Sequence, residues 1–542
     1  MLYFGSGHFP RNAAADPGTL LRRCALESVG FWRRARENPD WIAVIEPDGA
    51  RHTAGALLGR VHQLTRALRQ TGLRPGDGIA AVLPNGLAAV ELYLAALQAG
   101  WYLTPINWHF TAPEIAYILG DCQARAFVVH ERFAAAGAAA ADLAGLPASA
   151  RLSYGGAAPG FRPVRQLAAA QPAAEPAGRT AGAMMHYTSG TTGRPKGVRR
   201  PLPGLDPDAA TEISAALLQF FGMTAGGPNV HLITSPNYHT AVTVFGGGAL
   251  HLGHTLVCMD GWDAEQALAL VQRHQVTSTH MVPTQFKRLL SLPRQTRDRY
   301  DLASMRWLIH AAAPCPAGIK RQMLAWWGPC VYEYYAATEG GGTIATPADW
   351  LARPGTVGRP WPVSEVLIVA DDGRPCPPGT AGTVYLRMGV TNFEYFGDPA
   401  KTAASRRGEL FTVGDIGYLD DDGYLFLRDR KSEMIISGGT NIYPAEIEAE
   451  LIMHPQVADV AVFGIPDDDW GEQVKAVVQL TAPAQPSAEL AAEILAFLDG
   501  RLARLKWPKT IDFAAELPRD PSGKLLRRRL RDPYWAGHGG VI

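Results

Sequence analysis

Residues 186–198 read HYTSGTTGRPKGV, and this stretch holds the hydroxyls of Thr188, Ser189, Thr191 and Thr192, the bare backbone of Gly190 and Gly193, and the ammonium of Lys196. Hydroxyls, unhindered N–H groups and one positive charge in a single short segment are suited to cradling phosphate. The spacing is not that of a Walker-type loop, G-x-x-x-x-G-K-[ST]: Gly190 and Gly193 are only three apart, and Lys196 follows Pro195 and precedes Gly197. Taken alone, such a cluster also serves as a polar surface loop. The chemistry suggested is phosphate handling, with the lysine that performs it left open.

A phosphate loop needs a frame, and the surrounding sequence supplies one. From Gly78 to Asn107 the text runs strand, turn, helix, strand: an apolar run from Gly78, the turn Pro84-Asn85-Gly86, then Leu87, Val90, Leu94 and Leu97 at helical spacing, then Trp101 to Ile106. Similar strand signals at 126–129, 230–234 and 306–309 argue for a layered α/β body. The Ala-rich stretches 134–150 and 167–183 read as a surface helix or linker framing the glycine-rich loop. Near the C-terminus, 457–463 and 474–480 read as strands and Ala488 to Leu505 as an amphipathic helix, so a small α+β module begins near residue 430.

The chain has 542 residues, too many for one core, and 47% of them are hydrophobic. Basic and acidic residues balance at 51 each, which gives no reason to expect nucleic acid or an anionic membrane as partner. The N-terminus lacks a basic segment followed by an apolar one, and the most apolar stretch, 79–97, is broken by Pro84, Asn85 and Glu91, so no export signal or membrane span is expected. The six cysteines form no CxxC and no ligand-spaced cluster with histidine, which argues against a disulfide framework or a zinc site and for the cytoplasm.

Three further segments accompany the loop: 332-YEYYAATEGG-341, the run from Phe411 through TVGD and SGGTNIYPAEIE to Glu448, and 518-PRDPSGKLLRRRL-530. In order and spacing the four together resemble the core motifs of adenylate-forming enzymes, the superfamily of acyl-CoA synthetases, carrier-protein adenylation domains and firefly luciferase. That resemblance implies an α/β fold with a large N-terminal body of layered α/β and β-barrel-like subdomains, residues 1–431, and a small mobile α+β C-terminal domain, residues 432–542. It implies ATP, Mg²⁺ and CoA, and a reaction in two halves: a carboxylate attacks the α-phosphate to give acyl-adenylate and pyrophosphate, then a thiol displaces AMP. By the same resemblance Thr188 through Gly193 hold the β- and γ-phosphates with help from Lys196, Thr338 contacts the α-phosphate, and Glu339 holds Mg²⁺, a cation that prefers carboxylate and phosphate oxygens. Asp415 matches the acid that binds the ribose hydroxyls, and Arg430 the arginine assisting at ribose and phosphate. Tyr335, Glu333 and the backbone of Ala311-Ala312-Ala313 match the adenine site. Lys524 matches the adenylation lysine. Arg527, Arg528 and Arg529 beside it read more simply as a solvated helix face.

The chain departs from the family pattern at two positions. Ala336 stands where the family has glycine, adding a methyl beside the acyl path, and Ser432 occupies a hinge position that is commonly Asp or Lys. His239 matches a residue lining the acyl pocket and reads equally as a satisfied core histidine. Gly438 and Gly439 resemble the segment bordering a pantetheine tunnel, where bare backbone lets a thin ligand approach. The chain ends eighteen residues after Lys524, so a separate acceptor is expected, CoA or a carrier protein. The wording of 311–316 and 333–341 looks most like that of bacterial acyl-CoA synthetases for bulky hydrophobic acids, and the resemblance implies a small-molecule carboxylic acid substrate of fatty, steroid side-chain or terpenoid type. An enzyme passing acyl-adenylate to a partner, a luciferase-like monooxygenase and a non-catalytic ligand-binding relic are the alternatives, and a homodimer is left open.

Overall fold

The computed structural model describes residues 29–536 other than 157, 189–194, 390–391 and 520–523. Its first sheet is parallel, in the spatial order Arg162–Pro163, Arg151–Tyr154, Ala124–His130, Gly78–Val82, Tyr102–Pro105, Ala183–Met184. The helix Leu87–Ala99 crosses from Gly78–Val82 to Tyr102–Pro105 and stops at Gly100, whose φ of 75° lets the chain turn left-handed at the helix end. The second sheet runs Arg359–Pro360, Gly340–Ala345, Val331–Ala337, Trp307–His310, Ser278–Met281, Val230–Ile233, Thr255–Cys258, Ile42–Ile45, Arg51–Thr53. Its central strands are parallel and buried on both faces, and the polar residues they carry, His231, Ser278, Thr279, His280 and His310, are buried with them.

Helices Ala54–Gln70, Leu87–Ala99 and Thr240–Leu252 join the two sheets through one apolar cluster. It runs from Ile79 and Val128 through Leu64, Leu94 and Phe245 to Leu256 and Ile309. Between 364 and 430 an antiparallel sheet has its own core of Val366, Ile368, Val384, Leu386, Phe411 and Leu425. A smaller α+β module follows from Ile435, built on the hairpin Val457–Asp467 and Gly471–Leu480, with Ile447, Val462, Val478 and Ile494 inside. The α/β class and the large-body, small-module organisation are as expected.

One expectation is corrected. The helix starting at Ala488 ends at Ala496, although Leu498 carries the apolar spacing onward, because the chain turns through Asp499 and Gly500, whose φ is 69°. Of the two readings of 134–150, surface helix or linker, the structure has the helix over Ala134–Leu143, packed on the first sheet so closely that a Cβ on Gly137 would meet Val129 at 2.8 Å.

Candidate active site

The parallel strands of the second sheet end along one cleft of about 2620 Å³, at the carboxyl edge where open α/β sheets bind ligands. Ala311, Ala312 and Ala313 follow the strand Trp307–His310 directly and line this cleft. Ala312 holds a φ of 75°, a left-handed conformation that costs a residue with a Cβ and is characteristic of ligand sites. Strand Val331–Ala337 forms the next wall. Glu333 and Tyr335 stand on one of its faces, Tyr334 and Ala336 on the other, by the two-residue period of a strand.

Thr338 and Glu339 form the two-residue connection between that strand and Gly340–Ala345, so the hairpin tip enters the cleft. Gly340 and Gly341 open the second strand with φ of 126° and 68°, beside an irregularity in the pairing register. Glu339 Oε1 accepts a hydrogen bond from Tyr395 Oη at 2.7 Å, and both groups are buried. Burial, then the Glu339 charge, push the Tyr395 phenol far above its ordinary range, so it stays a donor. The Thr338 hydroxyl lies 3.3 Å from that of Thr240, and the Arg200 guanidinium donates to the Thr338 carbonyl.

The base of the glycine-rich loop is an antiparallel pair, His186–Thr188 with Lys196–Arg199, in which Lys196 faces Thr188. Ser189, Gly190, Thr191, Thr192 and Gly193 lie outside the described residues, whereas Thr188 and Lys196 both line the cleft. Lys196 Nζ is 3.7 Å from Asp398 Oδ2 and 5.8 Å from the centre of the Tyr395 ring, so the loop lysine and Glu339 share Tyr395 as a neighbour.

Across the cleft Asp415 begins the strand Asp415–Leu419 opposite Arg430, the last residue of Leu425–Arg430. Its Oδ2 accepts from Tyr335 Oη at 2.6 Å and its Oδ1 lies 3.3 Å from Arg430 Nε. An ionised carboxylate has about four acceptor sites. Two partners therefore orient it without filling it. Glu333, 7% exposed, is bound by the wholly buried Lys320 at 2.6 Å.

Lys524 lines the same cleft from the C-terminal module. Its segment is fastened on both sides by arginine forks, Arg519 to Asp459 at 2.5 and 2.6 Å and Arg527 to Glu448 at 2.6 and 3.2 Å, with Glu433 as a second partner of Arg527. Arg527 is thus an anchor, and only Arg528 and Arg529 are exposed as the helix-face expectation has it.

Ser432 is exposed at the cleft edge, in a turn where the N–H groups of Glu433 and Met434 both donate to the Arg430 carbonyl. Gly438 and Gly439 are not among the cleft-lining residues. They form the tip of the hairpin Ile435–Ser437 and Thr440–Ile442 with φ of 54° and 76°, a conformation glycine adopts without strain, and a Cβ on Gly438 would strike the Trp470 ring.

Leu217, Val244, Phe245, Tyr334, Ala336 and Trp361 give the cleft apolar lining, and His239 lines it as well. The Ala336 methyl fits because its cross-strand partner is Gly342: a Cβ there would come within 2.9 Å of it.

A family model described as "AMP-binding enzyme" matches residues 31–394, and "AMP-binding enzyme C-terminal domain" matches 446–524. The chain belongs to the AMP-binding enzyme family. This AMP-binding enzyme is 31% identical to a fatty acid--[acyl-carrier-protein] ligase, ScoC, of Streptomyces coeruleorubidus, over 92% of this chain and 95% of that protein. It is 32% identical to the long-chain-fatty-acid--CoA ligase FadD13 of Mycobacterium tuberculosis, over 94% and 99% of the two chains. Among solved structures it resembles the amide bond synthetase McbA from Marinactinospora thermotolerans, with a TM-score of 0.78, 28% identity, and coverage of 94% of this chain and 100% of that one. This AMP-binding enzyme is an adenylate-forming ligase. No described helix is long and apolar enough to cross a membrane.

Sequence reasoning missed Tyr395, Arg200 and Lys320. For Lys320 a signal existed, since with Met323, Leu324 and Trp327 it follows the i, i+3, i+4, i+7 spacing of the buried stripe of helix Ala317–Trp327. Tyr395 and Arg200 come from other elements and carry no local signal.

Proposed function

We propose that this enzyme converts a hydrophobic carboxylic acid, of fatty, steroid side-chain or terpenoid type, to acyl-AMP and then to acyl-CoA. The observation that carries the reading is that Lys524, the Thr338-Glu339 tip and the Asp415–Arg430 pair line one cleft together with apolar side chains such as Phe245, Tyr334 and Trp361. Tyr335 packs the adenine and Glu333 meets its amino group, Asp415 takes the ribose hydroxyls, and Arg430 supports ribose and phosphate. The segment from Thr188 to Lys196 holds the departing pyrophosphate. Glu339 fits Mg²⁺, because one buried carboxylate facing a phosphate site is the donor set such an ion shares with nucleotide oxygens. The ion supplies charge neutralisation at the phosphates when bound.

In the first half the substrate carboxylate oxygen bonds to the α-phosphorus and the bond to pyrophosphate breaks. Lys524 donates to the oxygens on which negative charge gathers, an interaction stronger in the transition state than before it. In the second half the thiol sulfur bonds to the acyl carbon, AMP leaves, and the thiol proton is released. Lys524 and a pantetheine arm compete for one place, so residues 432–542 turn about Ser432 and bring the Gly438-Gly439 tip to the cleft. A carrier-protein thiol as acceptor is the second reading, favoured by the likeness to ScoC.

The test is pyrophosphate exchange over a panel of acids, followed by addition of CoA or a carrier protein to the acids that exchange. AMP and a thioester of a large apolar acid are expected. ADP as product would overturn the reaction, and exchange with amino acids alone would overturn the substrate class.

A further inference from the structure

Lys320 is completely buried on helix Ala317–Trp327, yet it does not line the cleft; Glu333, which it binds at 2.6 Å, does. The ammonium also lies 5.0 Å from the centre of the Trp350 ring, so it is enclosed behind Glu333 by a carboxylate and an aromatic face. It engages Glu333 Oε2. His310 Nε2 is 3.6 Å from that same oxygen, and burial followed by the Lys320 charge keeps this imidazole neutral. Oε1 has no hydrogen-bond partner among the described residues, and Glu333 is part of the cleft wall.

A buried lysine–glutamate pair is a poor device for stability alone, since desolvating two charges offsets their attraction. Its value here is directional. Burial pushes the Glu333 carboxyl up, toward the neutral acid, and the ammonium opposes that change. A protonated carboxyl would offer a hydrogen to the base and could not select a donor over an acceptor.

We infer that Lys320 is a positioning residue for nucleobase selection, holding Glu333 by one oxygen so that the other presents a charged acceptor to the exocyclic amine of adenine. This rests on the reading that Glu333 meets that amine. A base with a carbonyl at the same position sets oxygen against oxygen, and a base with hydrogen there makes no bond. Lys320 touches neither ligand nor reacting atoms; it acts through Glu333.

The experiment compares ATP with purine riboside 5′-triphosphate, which has hydrogen in place of the amino group, as substrates of the whole enzyme. For the wild type, KM for ATP is expected to be lower by about tenfold or more, the scale of a hydrogen bond to a charged group. In Lys320→Met that ratio is expected to fall to within about twofold, through a higher KM for ATP and an unchanged KM for the analogue. A merely structural role would move both nucleotides together. A double variant, Lys320→Met with Glu333→Gln, leaves no buried charge unpaired and tests the pair as a unit if the single variant does not fold, its ratio also falling severalfold. Full wild-type selectivity in folded Lys320→Met would overturn the role of Lys320 and leave the Glu333 contact standing, whereas full selectivity in the double variant would overturn the Glu333 contact and the inference with it. Equal KM values in the wild type would overturn the contact itself, and the inference with it.

Discussion

Tyr395 Oη donates to Glu339 Oε1 across 2.7 Å, and the ring of the same tyrosine faces Lys196 Nζ. One aromatic side chain therefore steadies the carboxylate assigned to the metal and borders the lysine assigned to the pyrophosphate. Tyr395→Phe keeps the ring and removes the donor. Loss of a hydrogen bond to a charged group is expected to raise the Mg²⁺ concentration for half-maximal adenylation by about tenfold, with the apolar acid KM unchanged. A Mg²⁺ titration at fixed ATP checks this, and an unaltered curve would detach Tyr395 from metal binding.

Lys524→Ala should lower adenylation by about 10²-fold or more, the effect of losing one preorganised donor to developing charge. Reaction of supplied acyl-adenylate with CoA should fall much less. Lys196→Ala should chiefly raise the KM for ATP, because Lys196 is already paired with Asp398 at the loop base. Rapid-quench measurement of the two half-reactions separates them, and a larger loss of chemistry at Lys196 would exchange the two roles.

Ser432→Pro tests the turn about the connection. Proline fixes φ near −65° and restricts the residue before it, so a junction that must change dihedrals becomes locked. Near-normal pyrophosphate exchange with a strongly reduced rate of acyl-CoA formation is expected, provided the locked state is the adenylating one. Unchanged thioester formation would put the hinge elsewhere.

Acid should destabilise the fold. Burial lowers His186, His231, His251 and His280 from the ordinary 6.5 to about 3, and His254 to about 4. Their native values lie below the unfolded one, so between about pH 6.5 and 4 the unfolded chain binds protons that the native one excludes. Stability is then present above pH 6.5 and lost as the pH falls toward the native values. The urea midpoint should drop steadily from pH 7 to pH 5. Replacing His231, which lies 2.9 Å from Ser278 Oγ, with Asn should flatten that slope by up to one proton. A midpoint independent of pH over that range would contradict burial of these rings in the neutral form.

The crossover unit around Leu87–Ala99 and the C-terminal hairpin were legible because their apolar periods are long, and the short strands at 230 and 307 because each is a compact, largely apolar run between helical or turn signals. The face of the cleft proposed for the nucleotide was legible only as motifs, since Asp415 meets Tyr335 eighty residues away through a contact that no local pattern encodes. Ala336 departs from the pattern, and only its cross-strand pairing with Gly342 shows how the extra methyl is housed. Likewise Gly438 and Gly439 suggested room for a ligand, while the structure gives them a further reason in the positive φ of a two-residue hairpin turn. Lys320 was visible in helical spacing and went unread because lysine is seldom assigned to a core.

The connection between body and C-terminal module crosses Asp429. Its Oδ1 accepts from the N–H of Arg430 within its own strand, while Oδ2 accepts from the N–H of Ala445 at 2.9 Å, in the first turn of the helix Pro444–Leu451. One carboxylate thus behaves as a release catch: it caps a helix on the far side of the junction from its own backbone, and any large rotation there uncaps that helix. Losing such a cap costs on the order of 1 kcal/mol, a bias of roughly fivefold in population. In the rotation proposed about Ser432, a catch of that strength would favour the pose seen here by about that factor, and it would have to break before a thiol arm could take the place of Lys524.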